Sequence, residues 1–134
     1  MLCLIVGSLV VLPSAVLADT ADIIKQHDLC VSAHSDNMSW GGCGATEVDA
    51  LDKELNKSWE TVSSLMKDAS PENFKTLLAD ERLWIKWKEQ ACLYWKGDNF
   101  GSEQDVLSYP GCVAGILQNR IVQLDNLADE LSGH

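Results

Sequence analysis

The sequence predicts an all-α fold: a small antiparallel bundle of three to four helices with two disulfides. Three observations carry that prediction. Apolar residues recur at intervals of three and four over three long stretches, whereas sustained period-2 alternation is missing. Four cysteines, Cys30, Cys43, Cys92 and Cys112, follow an apolar leader in a chain of 134 residues. Thiols delivered to an oxidising compartment pair most simply as disulfides, which small exported domains use to staple a limited core.

Residues 1–18 (MLCLIVGSLVVLPSAVLA) read as an export signal. Val16 and Ala18 fit the minus-three and minus-one positions of a cleavage site, so the mature chain is expected to start at Asp19. No Lys or Arg precedes the apolar run, and Cys3 lies at the wrong end of it for lipid attachment. The run is short for a membrane span, so no stable span is expected after cleavage. Residues 19–134 then form one helical domain.

Each element has its own signal. A first helix is expected from Thr20 to Leu29, carrying Ile23 and Ile24. The Gly-rich segment Trp40-Gly41-Gly42-Cys43-Gly44 reads as part of an irregular loop over 31–45. Thr46, with Asp49 three residues on, resembles a capping box that starts the next helix, running to about Ala69. Val48, Leu51, Leu55, Trp59, Val62, Leu65 and Met66 form its apolar stripe. Ser70-Pro71 ends that helix and begins another, with Ser70 as N-cap and Pro71 in the first turn.

This third helix is expected to reach about Lys96, ended by Gly97. Its stripe is Phe74, Leu77, Leu78, Trp84 or Ile85, Ala91 and Trp95. Leu83, Trp87 and Tyr94 widen the apolar surface and predict packing on two neighbours. A second irregular loop covers 97–111. Pro110-Gly111 then starts or kinks a last helix with Val113, Ile116, Leu117, Ile121, Leu124, Leu127 and Leu131 on one side. Local pairing, Cys30–Cys43 and Cys92–Cys112, is the economical choice among three connectivities. In the chain-entropy description each bridge contributes about 3 kcal/mol.

The chain carries 20 acidic and 10 basic residues, a net charge of −10. Such a surface repels nucleic acid and anionic membranes and attracts cationic partners. His27, Cys30, His34 and Cys43 offer ligand types compatible with zinc, but a Cys30–Cys43 bridge would consume both sulfurs, and no metal is expected. No phosphate loop, nucleophile elbow or His-Glu helix motif is present, so neither a catalytic site nor a cofactor is expected. Trp59, Trp84 and Trp95 fit helical stripes. Trp40 instead stands beside two glycines, where an aromatic serves either as a binding anchor or as a lid.

In order along the chain stand Cys30, Cys43, Leu55-Asn56-x-x-Trp59, Arg82-x-Trp84-Ile85-x-Trp87-Lys88, Cys92, Gly101-Ser102, Cys112, Arg120 and Leu124. This set resembles the LprI-type lysozyme-inhibitor domain, a family of small exported bacterial helical domains with paired cysteines. The sequence departs from that pattern with Trp59 in place of Tyr and Lys88 in place of Arg. The resemblance implies an exported protein of the periplasm or cell envelope, not an enzyme, that binds and inhibits lysozyme or a related cationic peptidoglycan hydrolase. The alternatives are an immunity protein against a protein toxin delivered by competing bacteria, or an accessory envelope domain. A rigid element must fill the hydrolase cleft, and the disulfide-closed loops are the candidates. Asp36, Asn37 and Trp40 lie in the first; Asp98, Asn99, Ser102, Glu103 and Asp105 lie in the second.

Overall fold

In the computed structural model the described residues run from 15 to 133. The expected export signal falls outside them, apart from residues 15–18 at the head of the first helix. The described chain is all-helical and contains no strand. In order come α1 (Ala15–Ser32), α2 (Asn37–Ala69), α3 (Pro71–Ala91), a short α4 (Leu93–Lys96), a π-helical turn (Gln104–Ser108) and α5 (Tyr109–Leu131).

The core lies between α2 and α5. Leu51, Leu55 and Val62 of α2 meet Ala114, Leu117, Ile121, Leu124 and Ala128 of α5, all buried. Apart from Ala114 and Ala128, these residues belong to the two stripes read from periodicity, since spacings of three and four bring side chains to one helical face. Ile23 of α1 and Leu77 and Trp84 of α3 pack against this core from outside.

α2 starts well before Thr46, so the expected capping box is not the start of the helix. Asp36 is the true N-cap: its backbone is extended and its carboxylate accepts the Ser39 N–H at 2.9 Å. Thr46 lies inside the helix, where its hydroxyl donates to the Gly42 carbonyl at 2.9 Å. The irregular loop expected over 31–45 shrinks to the short link between Ser32 and Asn37. The three glycines did not signal a loop. In an exposed helix each costs about 1 kcal/mol relative to Ala, but here tertiary contacts hold the segment helical. A Cβ on Gly44 would stand 2.7 Å from Pro110 Cβ and Cγ, so glycine is what lets α5 approach.

Ser70-Pro71 separates α2 from α3 as expected: the Ser70 hydroxyl accepts the Asn73 N–H, and Pro71 sits in the first turn. The third helix is interrupted at Cys92 and resumes as α4, which ends at Gly97 with a positive φ of 55°. α3 meets both α2 and α5, but not through the apolar residues expected to widen its surface. Leu83 and Trp87 of α3 and Tyr94 of α4 face solvent, and Ile85 and Trp95 are each 41% exposed. The bundle covers α3 on one side only, so the surplus apolar residues have nothing to pack against.

An ionic clamp adds to the packing of Leu77 and Trp84 in fixing α3. Arg120 of α5 donates to Glu81 at 2.6 and 2.9 Å and to Asp80 at 2.7 Å. Glu81 and Arg120 are both buried, and the guanidinium lies 5.4 Å from the centre of the Trp84 ring. Lys88 makes a single 3.7 Å contact with Asp52 of α2, the one-point geometry that an ammonium supplies and a guanidinium fork would double.

Candidate functional site

Two disulfides close the same end of the bundle. Cys30–Cys43 joins α1 to the first third of α2, and Cys92–Cys112 joins the α3–α4 break to the first turn of α5. Both bridges span 5.8 Å between Cα atoms, and both are the local pairings favoured on economy. Between them the Asn37 side-chain amide donates to the Gly101 carbonyl at 2.9 Å. That bond ties the start of α2 to the second loop, so segments far apart in sequence share one surface.

The residues expected at this site have different duties. Asp36 is exposed, and its carboxylate accepts both the N–H and the hydroxyl of Ser39. These hydrogen bonds hold its pKa below the usual carboxylate range. Trp40 is half-buried, and its indole N–H is shared between the Val31 carbonyl at 3.2 Å and the His34 carbonyl at 3.1 Å. It therefore caps carbonyls at the C-terminal end of α1.

Asp105, expected in the second loop, stands in the π-helical turn that follows it and accepts the Gly101 N–H at 2.8 Å, while the Ser102 hydroxyl accepts the Asp105 N–H at 3.3 Å. Both are half-buried and shape the loop. Asp98, Asn99 and Glu103 face solvent. Gly97 and Gly101, with φ of 55° and 75°, turn the chain on either side of Phe100 in the left-handed conformation that suits glycine.

Sequence reasoning missed the most prominent apolar side chains here. Phe100 is 96% exposed at the loop tip, Met38 is 89% exposed on the first turn of α2, and Tyr94 is 87% exposed on α4. The available signal was an aromatic between Asn99 and Gly101 in a disulfide-closed loop, the same argument that singled out Trp40.

The zinc alternative loses its thiolates, because Cys30 and Cys43 are bonded to each other. His27 instead faces Glu47 at 3.5 Å and Asp28 at 3.6 Å. Burial raises the Glu47 pKa, with Asp28 adding to the effect and His27 opposing it. Among the described residues no group of three or more His, Cys, Asp or Glu is placed to hold a metal, and no helix is long and apolar enough to cross a membrane.

The family model for lysozyme inhibitor LprI matches residues 30–124, from the first bonded cysteine to the core residue Leu124. The chain belongs to the LprI lysozyme inhibitor family. No curated protein and no solved structure matches it. Within the LprI match, Leu55 and Leu124 are core residues, Trp59 and Trp84 pack on the core, and Arg120 is the centre of the ionic clamp. Gly101 and Ser102 shape the second loop. The residues that carried the resemblance are thus mainly scaffold.

Proposed function

We propose that this member of the LprI family is an exported, non-enzymatic protein of the periplasm or cell envelope that binds and inhibits lysozyme or a related peptidoglycan hydrolase. The disulfide-closed end is its inhibitory surface. The observation that carries this reading is Phe100, almost fully exposed on a loop that a disulfide, two turn glycines and the Asn37 bond hold in place. A lysozyme-type enzyme works with two carboxylates in a cleft, so an inhibitor must insert something rigid there. An exposed aromatic on a constrained loop loses little entropy on docking and fits the anchor role. Asp98 and Glu103, on the same loop, match a cationic rim. The two disulfides also support an oxidising compartment.

The test is a lysozyme lysis assay with oxidised protein, with reduced and alkylated protein, and with Phe100→Ala. Dose-dependent protection is expected from the oxidised form only. Phe100→Ala should weaken inhibition by about tenfold or more with an unchanged thermal melt. No protection at large excess from folded oxidised protein would remove that hydrolase as the target.

A further inference from the structure

A cleft of about 420 Å³ lies between the first half of α2 and the π-helical turn, with Phe100 at its edge. Its size falls within the roughly 300–1,000 Å³ of small-molecule sites. Ala45 and Val48 of α2 form one wall; Val106, Pro110 and Val113 form the other. Glycine lets the walls approach, since a Cβ on Gly41 would stand 3.3 Å from Val106 Cγ1. The facing wall includes part of the π-helical turn, an irregularity that recurs at functional sites.

The charges at the cleft select one kind of ligand. Lys96 lines it, exposed, with its ammonium 5.1 Å from the centre of the Tyr109 ring, and among the described residues no carboxylate pairs with it. Asp105, the acidic residue in the lining, is already engaged by the Gly101 N–H. We propose that this cleft binds an amphipathic anion, an alkyl chain ending in a carboxylate or phosphate, with its head on Lys96 and its chain between Val48, Val106 and Val113. Phe100, the anchor of the hydrolase reading, also lines this cleft, but the head and chain contacts named here are made by other residues.

The test is calorimetric titration of the oxidised protein with dodecanoate, dodecyl phosphate and dodecyltrimethylammonium, each below its micelle concentration. Saturable one-site binding of at least one anion is expected, with the cation about tenfold weaker or undetectable. The stronger of the two anions identifies the head group. Lys96→Gln should weaken anion binding about fivefold or more while Lys96→Arg retains it. Ala45→Phe, placing a ring in the cleft from an exposed helix position, should abolish binding of all three. Absence of saturable binding to either anion, equal affinity for the cation, or wild-type affinity in Lys96→Gln would overturn the proposal. So would wild-type affinity in Ala45→Phe. Phe100 is unaltered in every variant, so lysis assays on the ligand-free proteins report the hydrolase reading separately.

Discussion

Gly42 and Gly44 stand in the same turn of α2 and meet opposite surroundings. Nothing lies within 4 Å of a Cβ built on Gly42, whereas one on Gly44 collides with the Pro110 ring at 2.7 Å. Gly42→Ala should therefore stabilise the protein by about 0.5–1 kcal/mol, because alanine restricts the unfolded chain and favours the helix. Gly44→Ala should destabilise it by about 1–3 kcal/mol, the range for overpacking a tight contact. Urea denaturation of both variants would check the opposite signs. Asp125 supplies a pH dependence. Burial raises its pKa, and the nearby Asp129 and Glu54 add to the shift. A raised folded-state pKa means that the favourable contribution is complete below the unfolded value and is lost as pH rises through the folded value. Asp125→Asn should thus gain stability relative to the parent at pH 7, and the gain should shrink towards pH 3. For a half-buried, partly screened group the gain is about 1 kcal/mol or less. Thermal melts across that range would read it.

At the scale of elements, α3 differs from its neighbours in what holds it. α2 and α5 share an apolar seam, while the residue that α3 buries is Glu81, bound to Arg120. Arg120→Ala should cost about 3–5 kcal/mol, because it leaves Glu81 buried without its counter-charge. Arg120→Met combined with Glu81→Leu should recover much of that loss. Hydrogen exchange should show the single variant losing protection first along α3; uniform loss across all helices would argue against the clamp. Ser70-Pro71 was legible as a boundary because capping and a fixed φ act within one turn. The solvent-facing positions of Leu83 and Trp87 were not legible. An apolar residue on a helix has the same sequence pattern whether or not a neighbour arrives to cover it.

At the scale of the whole molecule, the net charge of −10 acts at a distance. Association with a cationic hydrolase should slow by about tenfold or more between roughly 0.05 and 0.5 M salt. The dissociation rate should change little, since Phe100 would act through contact rather than long-range field. Stopped-flow association over a salt series would separate the two, and a salt-independent on-rate would remove steering from the account.

The sequence by itself determined what is local: the α2 and α5 stripes, the Ser70-Pro71 break, an economical cysteine pairing and the ordered residues that resemble the LprI family. Three of the candidate site residues, Asp98, Asn99 and Glu103, were placed in an exposed loop on the same grounds. Only the tertiary structure decided where α2 begins, that Trp40 caps the end of α1, that the two stapled segments join through Asn37, and that Phe100 projects. Periodicity, caps and turns are set within a few residues, so they survive in any reading of the chain. The meaning of a glycine or an exposed aromatic depends on what another part of the chain brings to it. Gly44 faces Pro110 across a long sequence separation, and no local pattern records that contact.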